Sequence, residues 1–113
     1  MPINADGLNV MADGLAAVAT HLGLVDDVGT ELTGGSYARI AVTWDAAAAG
    51  LIRPGSDSVF DVPAGVTVGG WRTYSALTAG TDYGGSPLTN EVFAGAGTYT
   101  LLAASTSIDA DAV

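Results

Sequence analysis

Gly34-Gly35-Ser36-Tyr37-Ala38-Arg39-Ile40-Ala41-Val42-Thr43-Trp44 is the stretch on which the fold is read. A glycine pair opens it and Asp45 closes it, and between them Ala38, Ile40, Val42 and Trp44 alternate with Tyr37, Arg39, Ala41 and Thr43. A two-residue period is that of a half-buried strand, so the first set is expected to face a core, with Trp44 as its anchor, and the second to face away. Such a strand cannot cover its own apolar row, and the chain on either side has to supply a second layer.

Downstream, short apolar runs alternate with glycine-rich turns. Asp45 to Gly50 is expected to be a loop with at most one helical turn, because four alanines between Asp and Gly are too few to stand as a helix. Ser58 to Val62 reads as a strand stopped by Pro63-Ala64-Gly65. Val66 to Ser75 is the next, with Gly69-Gly70 marking a bulge or a close backbone approach, and Trp71 as a second anchor. Ala79 to Gly85 reads as a loop, Leu88 to Phe93 as a strand, Ala94 to Gly97 as a turn, and Thr98 to Ala104 as the last strand, extended by Ile108.

Upstream, Thr20-His21-Leu22-Gly23-Leu24-Val25 reads as the first strand, followed by the acidic turn Asp26-Asp27-Val28-Gly29. Before it, Leu8, Met11, Leu15, Val18 and Leu22 recur at steps of three and four, the stripe of an amphipathic helix capped by Asn4 or Asp6. Gly7 and Gly14 weaken that helix by about 1 kcal/mol each, so it needs packing, on its own sheet or on a neighbouring subunit. The organisation expected is therefore a docking or assembly helix over 1–19, an antiparallel β-sandwich of jelly-roll-like order over 20–108, and a polar tail over 109–113.

The 113 residues are enough for one domain with one core, and the absence of cysteine excludes disulfides and thiolate-bound metals. Twelve acidic residues against three arginines and no lysine give a net charge of -9. A chain so acidic repels phosphate backbones and anionic lipid, so neither nucleic acid nor membrane is expected as a partner. Only 13% of residues are charged while 49% are hydrophobic, the balance of a subunit whose faces are covered by neighbours. The N-terminal residues have neither a basic start nor a long apolar run, so synthesis in a cytoplasm without a signal peptide is the expectation.

A search for chemistry assigns no catalytic residue, metal or cofactor. His21 is the only histidine and lies where a helix stripe meets a strand, which fits a structural side chain better than a triad base. Asp26, Asp27 and Glu31 form the densest acidic cluster, either a Ca²⁺ site completed by carbonyls or a solvated turn. Asp57, Asp61 and Asp82 can be paired on paper for hydrolysis, but ten aspartates make a coincidental pair inevitable. Most aromatic residues fall on strand faces as core residues do, whereas Tyr83 lies in a glycine-rich loop and is expected to make surface contacts. Arg39, one of three cations among many carboxylates, is expected to be paired with an Asp or Glu.

Several segments taken together resemble a known family. They are His21-Leu22-Gly23-Leu24 with its acidic turn, Glu31-Leu32-Thr33-Gly34-Gly35-Ser36-Tyr37-Ala38-Arg39, Phe60-Asp61-Val62-Pro63-Ala64-Gly65, Trp71-Arg72-Thr73-Tyr74-Ser75-Ala76 with Gly80-Thr81-Asp82-Tyr83-Gly84-Gly85, and Phe93-Ala94-Gly95-Ala96-Gly97-Thr98-Tyr99. From about residue 15 onward the chain resembles the small virion proteins of tailed bacteriophages, labelled minor tail or tail-fibre proteins and frequent in phages of actinobacteria. Asp26-Asp27-Val28 is shorter than the threonine- and proline-containing segment many of those proteins carry there. The resemblance implies a non-enzymatic structural subunit of the virion exterior, a minor tail or capsid decoration protein. Other virion proteins and copies of itself are its expected partners. The expected assembly contacts are Leu8, Met11 and Leu15 with Asp82, Tyr83 and Leu88, while Tyr37, Arg39, Trp44 and Trp71 anchor the fold. A host-surface glycan-binding module and, with no motif in its favour, a small hydrolase are the alternatives.

Overall fold

The structure, a computed structural model, describes residues 4–109. Among these, α1 (Ala5–Val18) is followed by eight strands: β1 (His21–Val25), β2 (Ile40–Ala41), β3 (Leu51–Ile52), β4 (Ser58–Val62), β5 (Val66–Tyr74), β6 (Asp82–Phe93), β7 (Gly97–Leu101) and β8 (Ile108–Asp109). The protein is mainly β, with antiparallel pairings throughout the described residues: a four-stranded sheet of order β2-β1-β5-β6 and two ribbons, β3-β8 and β4-β7. The molecule is elongated, 49 × 23 × 22 Å.

One core joins the sheet to the β4-β7 ribbon. Leu22 and Leu24 of β1, Val68 and Trp71 of β5, Phe60 and Val62 of β4, and Leu101 of β7 meet there with Leu32. β4 follows the two-residue period, with Ser58, Phe60 and Val62 inward and Val59 and Asp61 outward. Burying a side chain such as Phe60 or Leu22, both fully buried, contributes about 1.5–3 kcal/mol each.

β1, β4 and β5 lie within a residue of where the hydrophobic pattern puts them. The expected irregularity at Gly69-Gly70 is there too, as a shift in register between Val68 and Gly70. A Cβ on Gly69 would come within 2.6 Å of the Asp27 Cα, so glycine lets the 26–29 turn lie on β5.

Other expectations are corrected. The long strand over 36–44 is not one ladder: only Ile40 and Ala41 pair with β1. After Val42, whose N–H donates to the Thr20 carbonyl, the extended chain changes partner. Trp44 bridges Pro54, the Gly55 N–H donates to the Thr43 carbonyl and the Asp45 N–H to the Arg53 carbonyl. Divided between two neighbours, the run keeps its alternation without forming a continuous ladder, and Ile40, Val42 and Trp44 are only half-buried. β6 begins at Asp82, so Tyr83, Gly84 and Gly85 are strand rather than loop. The last strand ends at Leu101 in a 3-10 turn over Ala103–Ser105, and Ile108 belongs to a separate ribbon with Ile52. Asp109 is part of β8, while the rest of the expected tail, 110–113, lies outside the described residues.

Asn4 caps α1, its Oδ1 accepting from the Gly7 N–H at 2.9 Å. The helix docks not on the four-stranded sheet but on β3 and the loop before it. Leu8 packs on Gly50, the Asn9 Oδ1 accepts from the Gly50 N–H at 2.7 Å, and the Asp13 Oδ1 accepts from the Ala47 N–H at 2.9 Å. The inward stripe is Leu8, Ala12 and Leu15, with Met11 and Val18 50% and 45% exposed on the other side. The buried line of the helix thus runs through Ala12 rather than along the all-large stripe expected.

Candidate functional site

The most elaborated polar arrangement lies over Gly23, on the side of β1 away from the core. Where β2 ends, the edge of β1 continues through a side chain: the Leu24 N–H donates to the Tyr37 hydroxyl at 3.0 Å, while the Leu32 N–H donates to the Leu24 carbonyl at 3.1 Å. The Tyr37 hydroxyl donates in turn to Glu31 Oε2 at 2.8 Å. Arg39 completes the cluster with a two-pronged contact, Nε to Glu31 Oε2 and Nη2 to Oε1, both at 2.8 Å. Its Nη1 donates to the carbonyls of Ala76 at 3.0 Å and Ala79 at 2.7 Å, and the guanidinium lies 3.6 Å from the centre of the Tyr74 ring.

The geometry requires Gly23, since a Cβ there would stand 2.7 Å from the Tyr74 ring, 2.9 Å from the Tyr37 hydroxyl and 3.0 Å from Glu31 Oε2. Burial opposes ionisation of Glu31, but the hydrogen bonds from Arg39 and Tyr37 and the Arg39 charge outweigh it and hold the carboxyl below its ordinary value. Burial likewise pushes the Tyr37 phenol well above its ordinary range and the Tyr74 phenol up to about 12, so both stay protonated and neutral near neutrality. The cluster ties 31–39 and the 76–79 loop to the sheet, and between them lies a cavity of about 400 Å³ lined by Leu32, Tyr37, Ala38, Arg39, Leu77 and Ala79. The ionisable groups on that lining, Glu31, Tyr37 and Arg39, are bonded to one another.

The acidic cluster separates. Asp26 Oδ1 accepts from the N–H groups of Val28 at 3.0 Å and Thr30 at 2.9 Å, a turn closed on itself, while Glu31 faces Arg39. Among the described residues no group of three or more His, Asp or Glu is arranged to hold a metal ion. Asp57 accepts from the Ala103 N–H, Asp61 is exposed, and Asp82 accepts from the Gly84 N–H and lies 3.6 Å from Arg72. His21 Nδ1 lies 2.9 Å from the Thr20 hydroxyl.

The expected assembly residues lie in different surroundings. Leu8 and Leu15 are half-buried on the inward side of α1, Leu88 packs against the core, and Met11, Asp82 and Tyr83 are exposed. Tyr83 is the one exposed aromatic ring among the described residues. Of the anchors, Trp71 is buried in the core, and Trp44 is half-buried with its Nε1–H donating to the Ala19 carbonyl at 2.7 Å. Glu31 and Tyr74 were not foreseen as the partners of Arg39. The signal present was the compact Glu-x-x-Gly-Gly-Ser-Tyr-Ala-Arg segment, which holds three of the four side chains. Val10, 72% exposed, lies outside the stripe of Leu8, Met11, Leu15, Val18 and Leu22 that the periodicity marks.

No protein-family model, curated protein or solved structure matches the chain. Among the described residues no helix is long and apolar enough to cross a membrane.

Proposed function

We propose that this protein is a non-enzymatic structural subunit of a tailed-phage virion, carried on the particle exterior as a minor tail or capsid decoration protein. The observation that carries the reading is the distribution of exposed large apolar side chains. Val10, Met11 and Val18 lie on the helix, Val28 on the acidic turn, Val59 on β4, Leu77 on the loop that Arg39 holds, and Val92 on β6. Apolar residues on so many separate elements suit a subunit that meets neighbours on more than one side. The wiring supports a small sandwich as its body, the β4-β7 ribbon covering one face of the four-stranded sheet in a jelly-roll-like manner.

Mass spectrometry of purified particles of the encoding phage, with immunogold labelling, tests the proposal. The chain is expected in particles at a fixed copy number, with label on either tail or capsid. Its absence from particles that are complete and infectious overturns the reading.

A further inference from the structure

α1 carries two apolar arcs, and the body of the chain covers one. At 100° per residue, Ala17, Val10, Gly14 and Gly7 run along the middle of the outer arc, with Val18 and Met11 on one border and Asp6 and Asp13 on the other. Val10, Met11 and Val18 are 72%, 50% and 45% exposed, and a Cβ on Gly14 would meet nothing within 4 Å. A helix apolar on both sides is the pattern of one covered on both sides. The surface area agrees: the chain exposes 6212 Å², roughly 500 Å² more than a compact monomer of 11.2 kDa. That excess is spread over an elongated molecule, the exposed outer side of α1 included.

Charge selects the occupant. Gly7, Val10, Gly14 and Ala17 are spaced three, four and three apart, the spacing of a helix–helix seam, with Asp6 and Asp13 on one flank and Met11 and Val18 on the other. In a parallel pair each flank meets the partner's opposite flank, so every aspartate lies beside the partner's Met11 or Val18. In an antiparallel pair like flanks meet, setting Asp6 against Asp13 in a chain with no lysine to relieve them. The stripe thus complements its own copy about an axis parallel to the helix. We infer that a second copy of this chain covers the outer face of α1, with the two helices parallel and Gly14 at their closest approach. The inference rests on the assembly reading above and names its partner.

The chain has no cysteine, which permits a direct test on the full-length protein. Single variants Val10→Cys and Ala17→Cys should each crosslink to their own kind on oxidation, while an equimolar mixture should give little 10–17 product. In sedimentation equilibrium the wild type should associate, and Val10→Asp should weaken that association at least tenfold. Its circular dichroism should stay unchanged, and so should its melting curve at a concentration where both proteins are monomeric, since Val10 is exposed. Three results overturn the inference: a wild type that stays monomeric up to about 0.5 mM, association indifferent to Val10→Asp, or predominant 10–17 crosslinks. A monomer with its helix intact would assign the stripe to a different protein. Particle content is measured separately, so a monomer found in virions removes this inference and leaves the proposed function, and an oligomer absent from virions does the reverse.

Discussion

Four of the five N–H groups of Arg39 are committed within the fold: two to Glu31, one to Ala76 and one to Ala79. Lysine cannot reproduce the fork or the stack on Tyr74, and it would leave Glu31 and two carbonyls short of donors. Arg39→Lys is therefore expected to cost about 1.5–3 kcal/mol, read as a lower urea midpoint with an unchanged slope. A loss below about 0.5 kcal/mol would class the pair with ordinary surface bridges. The carboxyl of Glu31 also links stability to pH. Its folded value lies below its unfolded one, so the contribution is fully present above the ordinary glutamate value of about 4.3 and disappears as pH falls through the lowered folded value. Glu31→Gln should be less stable than wild type at pH 7, and the gap should narrow on acidification through that window. A gap that stays constant down to pH 3 would show that Glu31 is not the linked group.

At the scale of elements, the joint between α1 and the sheet is the vulnerable point. Ala19 is fully buried, and its carbonyl is the acceptor for Trp44, whose own stretch is held by bonds to two different neighbours. Removing residues 1–19 would therefore take away a buried contact along with the helix. A chain starting at Thr20 should melt well below the full-length protein and show altered tryptophan fluorescence. Trp44→Phe keeps most of the apolar contact but removes the Nε1 donor, and it should cost about 1–2 kcal/mol. Melting within a degree of wild type would mean that water replaces the bond freely. At the far edge of the sheet, β6 carries Pro87 and two irregularities of register, features that discourage further strands from adding there.

For the molecule as a whole, charge and shape act together. Each copy carries -9, so copies repel, while the outer arc of α1 offers a strip without charge on which they can meet. Raising ionic strength from about 0.02 to 0.3 M shortens the Debye length from roughly 20 Å to under 6 Å, and self-association should strengthen accordingly. An interface built on ion pairs would weaken instead, so the sign of the salt dependence in sedimentation equilibrium separates the two. The shape is elongated, with a radius of gyration of 14.5 Å against about 13.3 Å for a compact chain of this length.

Read alone, the sequence determined what depends on neighbours along the chain. Periods of two and of three to four located β1, β4, β5 and α1, and the glycine pair located the bulge in β5, because side-chain direction follows directly from backbone repeat. It also foretold that Arg39 would find a carboxylate, since one cation among twelve acidic residues has little alternative. Tertiary structure decided which alternating run becomes a ladder and which merely stays extended. Residues 36–44 have the pattern of a strand, yet β1 has room for only two of them before Tyr37, Glu31 and Leu32 take over its edge. Ribbons as short as β3-β8 carry no periodicity to read and exist because Ile52 and Ile108 meet across the fold. The sides of α1 were likewise settled by docking: both arcs are apolar, and only the loop at 47–50, with its N–H groups aimed at Asn9 and Asp13, determines which one faces inward.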